Sequence, residues 1–221
     1  MSFRWVAVRG GALLAVMTLV TALQGCAPLI VGGAMVGGTM MALDRRTSGT
    51  QVEDEAIELK AAQRLRQGLS DKAHFNVTSY NRQVLLTGET GSETERERAG
   101  EIATRVENVA NVINEMAVLP VSSLSERSND TLITTRVKSA LIDAKDVQTN
   151  AFKIVTERGN VYMMGRVTQQ EAERATQVVR GVAGVRKVIR VLEIISNDEL
   201  KALESKNAKP APPSGAGTPG Q

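Results

Sequence analysis

Apolar residues fall into two uninterrupted runs near the start of the chain and then into a pattern that occurs twice. In "DEAIELKAAQRL" from Asp54, Ile57, Ala61 and Leu65 recur every fourth residue; in "DTLITTRVKSAL" from Asp130, Ile133, Val137 and Leu141 do the same. That spacing places each set on one helical face, and the aspartate opening each segment stands where a helix N-cap is expected. "FNVTSYNRQVLLTG" (Phe75 to Gly88) and "FKIVTERGNVYMMG" (Phe152 to Gly165) follow, matched without a gap. Each alternates apolar and polar residues around a polar turn, "YNRQ" or "ERGN", which predicts a β-hairpin closed by a strand-end glycine. "RAGEIATRVENVANVINEMAVL" from Arg98 and "RATQVVRGVAGVRKVIRVLEII" from Arg174 complete the copies. Ala99, Ile102, Ala103 and Val106, and Ala175, Val178, Val179 and Val182, give a helical period before the pattern turns β-rich. The expectation is an α+β fold of two tandem αββαβ units, each a three-stranded mixed sheet with two helices on one face.

The repeats occupy 51–120 and 129–195, joined by a linker at 121–128, with a disordered tail over 196–221 whose end, "KPAPPSGAGTPGQ", is rich in proline and glycine. At the other end, Arg4 and Arg9 precede the uncharged stretch Gly10 to Leu23, which reads as a signal peptide over 1–25. "LQGC", Leu23 to Cys26, resembles the bacterial lipobox. That resemblance implies cleavage before Cys26, a diacylglycerol on its thiol and an acyl chain on its amino group. Several acyl chains anchor stably. Ala27, where an aspartate would signal inner-membrane retention, implies the outer membrane. Residues 26–50 then form a tether. Its glycines, Gly32, Gly33, Gly37 and Gly38, have the spacing of a helix-packing motif but weaken an isolated helix, which favours a flexible apolar segment.

The phrases "GTQVEDE", "FNVTSYNRQVLLTGE", "SNDTLITTRVKSAL" and "VTERGNVYMMGRVT" resemble the BON domain, a small bacterial αββαβ module, and two copies behind a lipobox resemble the dual-BON outer-membrane lipoproteins. The resemblance implies anionic phospholipid binding by the first helix of the second domain. It also implies a role in outer-membrane integrity, envelope stress and division, with enrichment at the septum. Because BON domains also occur in channels and secretion pores, a tethered adaptor for envelope proteins is the competing expectation. The first copy departs from the family at Glu107-Asn108-Val109, where the second keeps Gly184-Val185, and the family favours tryptophan where this chain has Leu132.

Composition narrows the chemistry. One cysteine and one histidine, His74, leave no Cys/His zinc cluster of the usual kind, so neither a metal site nor a cofactor is expected. No nucleophile–base pair, phosphate-binding loop or dinucleotide fingerprint occurs, which argues against an enzyme. His74 reads as a surface or packing residue, and the acidic run Glu89 to Glu101 as a solvated face.

Charge divides the repeats. Residues 51–120 carry 8 Lys/Arg against 12 Asp/Glu, and residues 129–195 carry 11 against 7. Only the second suits an anionic surface. With Ile133, Val137 and Leu141 inward, Leu132, Thr135, Arg136 and Ser139 form an outer stripe, the candidate lipid-binding residues. Nucleic acid is not an expected partner, because part of the basic excess lies in the leader and an exported chain rarely meets it.

Overall fold

The computed structural model describes residues 44–208. The expected signal peptide, Cys26, nearly all of the tether and the Pro/Gly-rich end lie outside the described residues. The first repeat runs α1 (Ser48–Gly68), β1 (His74–Tyr80), β2 (Gln83–Thr90), α2 (Glu93–Thr104), β3 (Asn111–Asn114) and β4 (Ala117–Val118). The second runs α3 (Leu124–Asp143), β5 (Phe152–Glu157), β6 (Asn160–Val167), α4 (Gln169–Arg180) and β7 (Lys187–Ile194), and α5 (Asn197–Ala208) follows. In each sheet a hairpin pairs antiparallel and its second strand pairs parallel with the strand after the helix: β1–β2–β3, with β4 also on β2, and β5–β6–β7.

Helical starts correct the sequence reading. Thr47 caps α1 and a Ser123–Glu126 capping box opens α3, so Asp54 and Asp130 lie well inside their helices and are not N-caps. Both helices begin before the expected boundaries, α1 inside the tether and α3 inside the linker. Part of the expected disordered tail is the helix α5.

The two aspartates instead cap the hairpins. Asn81 and Arg82, and Arg158 and Gly159, all have positive φ, as a two-residue type I′ turn requires. Such a turn aims its backbone amides back at the helix. Asp54 accepts from Asn81 N at 2.8 Å and Arg82 N at 2.7 Å; Asp130 accepts from Arg158 N and Gly159 N, both at 2.7 Å. In the first repeat Ser79 Oγ and Arg46 Nη1 also donate to Asp54, at 2.7 and 2.8 Å. Burial pushes the Asp54 carboxyl up, but these hydrogen bonds outweigh it and hold it below the usual aspartate range.

Each repeat has its own core between helices and sheet. Ile57, Ala61 and Leu65 meet Val84, Leu86, Ala99 and Ala103 in the first. Ile133, Val137 and Leu141 meet Val161, Met163, Ala175 and Val179 in the second. A third cluster joins the repeats: Tyr80 and Leu85 pack with Tyr162, Met164 and Val191. The sheets therefore cover each other's second face. That explains why β2 and β6 are buried almost throughout and read "VLLTG" and "VYMMG", continuous apolar runs rather than the expected alternation. Ion pairs frame the contact, Lys153 to Glu58 at 2.7 Å and Arg158 to Glu89 at 2.7 Å.

Asn108, the departure from the family pattern, keeps the turn. Its φ of 67° answers to 97° at Gly184, and asparagine tolerates that region better than most residues.

Candidate functional site

Leu132, Thr135, Arg136 and Ser139 all stand exposed on α3, with Ile133, Val137 and Leu141 buried behind them. The earlier start of the helix lengthens this surface. Leu124, Ser128, Thr131, Thr135, Ser139 and Ile142 follow one another at intervals of three and four residues, so they share one face, and Leu132 lies beside it. Leu124 is 80% exposed, Ile142 64% and Leu132 54%.

The hydroxyls on this face are muted. Ser128 Oγ donates to the Leu124 carbonyl, Thr131 Oγ1 to that of Arg127 and Thr135 Oγ1 to that of Thr131. Each spends its proton on the preceding turn of its own helix, which lowers the cost of drawing it out of water. Charge flanks the strip instead of interrupting it: Arg136 and, at the helix end, Asp143 lie along one edge and Lys138 along the other, all exposed. Such an arrangement can offer an aliphatic ridge to a hydrocarbon layer while two cations stay at headgroup level. Sequence reasoning found the middle of this strip but missed Leu124, Ser128, Thr131 and Ile142, because it started the helix too late.

Behind Arg136 the packing is tight. A Cβ on Gly184 would stand 2.9 Å from Ile133 Cγ1 and 3.9 Å from Arg136 Nη1, so the turn before β7 sits directly against α3. Rigidity of that kind holds the strip to the sheet.

A second constellation fastens the segment before α1. Arg45 is buried; its guanidinium donates to both Glu171 oxygens at 2.6 and 2.9 Å, to the Arg166 carbonyl at 2.9 Å and to Gln148 Oε1 at 3.1 Å. All three partners belong to the second repeat. Arg46 turns the other way, pairs with Asp54 and lies 4.3 Å above the centre of the Tyr80 ring. Consecutive arginines thus clasp both repeats. His74, expected as a surface or packing residue, is partly buried and hydrogen-bonded through Nδ1 to Glu89 at 2.9 Å.

Among the described residues no helix is long and apolar enough to cross a membrane. The BON domain family matches residues 53–120 and 129–196. "Outer membrane lipoprotein DolP" of Haemophilus influenzae is 36% identical over 164 residues, which is 73% of this chain and 84% of that protein. The "21 kDa hemolysin" of Actinobacillus pleuropneumoniae is 35% identical over 144 residues, covering 64% of this chain and 74% of that protein. A solved structure of CdsD, a structural protein of the Chlamydia trachomatis type III secretion system, matches 69% of this chain and 98% of its own at a TM-score of 0.28 and 10% identity. Two matched modules and relatives that share most of their length place this chain in the BON-domain family, as a dual-BON lipoprotein of the outer membrane.

Proposed function

We propose that this lipoprotein is a non-enzymatic reader of anionic phospholipid, held at the outer membrane through Cys26 and engaging lipid headgroups and acyl chains with the outer face of α3. The observation that carries the reading is the charge-free strip from Leu124 to Ile142 with Arg136 on one side and Lys138 on the other, Asp143 being the one acid at its end. Its energetics suit reversible binding. Three partly exposed aliphatic side chains contribute roughly 1 to 2 kcal/mol each on transfer to lipid, and each flanking cation about 1 kcal/mol near an anionic surface. A role in outer-membrane integrity and envelope stress, and enrichment at division sites, would follow from recognising a lipid of uneven distribution.

The test is co-sedimentation of residues 44–221 with vesicles of phosphatidylglycerol or of phosphatidylcholine, for the unaltered protein, Leu132→Glu and Arg136→Glu. Binding confined to the anionic vesicles and weakened in both variants is expected. Reversing Arg136 removes about 2 kcal/mol of surface attraction, roughly 30-fold in affinity. Equal sedimentation of all three proteins would refute the reading.

The adaptor reading has its own support. In the net-acidic first repeat a groove of about 470 Å³ is lined by Glu55, Glu58, Leu59, Ala62, Phe75 and Val77, with Leu59 71% exposed. Retention of a basic envelope protein by the unaltered chain, lost in Leu59→Glu, would favour it.

A further inference from the structure

At the contact between the repeats, His74 on β1, Glu89 on β2 and Glu157 at the end of β5 bring one potential ligand atom each within 4.8 Å of the other two. The three come from two domains and were separate in every sequence pattern. Glu89 is fully buried and Glu157 only 6% exposed. From this arrangement we infer a divalent transition-metal site, of the type that takes zinc, joining the two BON domains.

The charges at this contact favour a cation. Glu89 has a cation: Arg158 Nε donates to its Oε1 at 2.7 Å. Glu157 has none among the described residues; its one hydrogen bond comes from the neutral amide of Asn76, at 3.0 Å. Two buried carboxylates thus have one permanent cation in direct contact, with His74, a cation only when protonated, beside them, and a buried charge without a counter-charge is costly. A bound cation would remove that cost.

Ligand chemistry and access come next. One imidazole nitrogen and two carboxylate oxygens are a donor set that suits zinc, which leaves a further position for water. Around a tetrahedral zinc, ligand atoms stand about 3.3 Å apart. His74 Nδ1 and Glu89 Oε2, hydrogen-bonded at 2.9 Å, would open by a few tenths of an ångström around an ion, and Glu157 would close in from within 4.8 Å. Arg158 holds the other Glu89 oxygen and fixes the carboxylate, as outer partners of ligands do. A polar cavity of about 260 Å³ opens beside His74 and Glu157 and is lined also by Asn76, Thr131, Thr134 and Thr156, which gives an ion and its water an entry. Arg127, the cation on that wall, donates its Nε to Ser122.

The chain suits a clean test, because it contains a single histidine and a single cysteine. The full lipoprotein in detergent, stripped with chelator, would be titrated with Zn²⁺ against a chromophoric competitor and with Co²⁺ for its visible spectrum. His74→Gln and Glu157→Gln would be compared, with far-UV circular dichroism confirming that each is folded. One equivalent of zinc is expected, bound about 100-fold more weakly in each variant, since loss of a ligand costs at least what loss of an outer partner does. The cobalt spectrum of the unaltered chain should show nitrogen ligation and lose it in His74→Gln. Absence of saturable binding below about 1 mM in the unaltered chain, or undiminished affinity in either variant, would overturn the site.

Discussion

Removing the carboxylate that caps a hairpin tests the reasoning most directly, because the two repeats use the same device with different numbers of partners. Asp54 accepts from Asn81 N, Arg82 N, Ser79 Oγ and Arg46 Nη1. Asp130 accepts from Arg158 N and Gly159 N. A hydrogen bond to a charged group contributes about 1.5 to 3 kcal/mol, less where water can replace it. Both aspartates lie inside helices, where alanine recovers about 0.6 kcal/mol of propensity. Asp54→Ala should therefore cost about 4 kcal/mol, Asp54→Asn about 2, and Asp130→Ala about 2 to 3. Urea unfolding followed by far-UV circular dichroism measures these differences, since the single tryptophan, Trp5, lies outside the described residues. A cost below about 1 kcal/mol for Asp54→Ala, or a larger one for Asp130→Ala, would refute the capping argument. The pH dependence has a definite sign. A carboxyl held below its ordinary value of about 3.9 contributes stability that is full above that value and is lost as pH falls through the folded one. The gap between the unaltered chain and Asp54→Asn should hold steady from neutrality to about pH 5 and shrink below about pH 4. A gap that widens on acidification would show that the aspartate is not held charged by its partners.

Two further substitutions probe the frame. At Gly165 an added Cβ would collide with the carbonyl oxygen of Ala151 across the hairpin, backbone that cannot yield cheaply, so Gly165→Ala should lower the urea midpoint by an amount equivalent to roughly 3 kcal/mol or more; a neutral result would mean that the strands are looser than they stand. Arg45→Ala breaks a buried bidentate pair with Glu171 and should cost roughly 2 to 4 kcal/mol. It should also be non-additive with Glu171→Gln; additive costs in the double variant would show the clasp to be uncoupled.

Periodicity carried the repeat architecture because both helices keep their apolar residues on a strict four-residue spacing and both hairpins keep their length. It failed where a residue's partner is distant in the chain. Asp54 and Asp130 have the side chain and local setting of an N-cap, and only the folded hairpin, more than twenty residues on, shows what they bind. The true starts were present as "TSGT" and "SLSE", where Thr47 and Ser123 cap, but both fell in stretches read as tether and linker. Sheet-to-sheet stacking left a trace in "VLLTG" and "VYMMG", since a strand that faced water on one side would not be apolar on both. The strip on α3 was half legible: Leu132 and Arg136 follow from the wheel, Leu124 and Ile142 only from the extent of the helix. Nothing in the order of residues announced that His74 meets Glu157, because the two lie on different domains.

Duplication of the module lets the two outward helix faces be compared on one scaffold, and the comparison locates the proposed lipid surface in one of them. Equivalent positions on the two helices differ by 76 residues, as Asp54 and Asp130 do. The α3 strip Leu124, Ser128, Thr131, Leu132, Thr135, Ser139 and Ile142 answers on α1 to Ser48, Val52, Glu55, Ala56, Leu59, Gln63 and Arg66. Glu55 and Arg66 break the α1 face, and where Arg136 edges the strip, Lys60 is tied to Glu107 at 2.8 Å. The inward faces, by contrast, keep the same chemistry: Ile57, Ala61 and Leu65 against Ile133, Val137 and Leu141, each with its aspartate on the hairpin turn. Folding constrains both helices equally on the inside and leaves both free on the outside. A charge-free outer strip of aliphatic and hydroxyl side chains on α3 is therefore not a demand of the fold. On the proposed reading, contact with a membrane held near by an anchor at Cys26 would give that exposed surface its use. Transplanting the difference tests the argument: Thr131→Glu with Ile142→Arg gives α3 the charges of α1, should leave the urea midpoint nearly unchanged because both sites are exposed, and should abolish sedimentation with anionic vesicles.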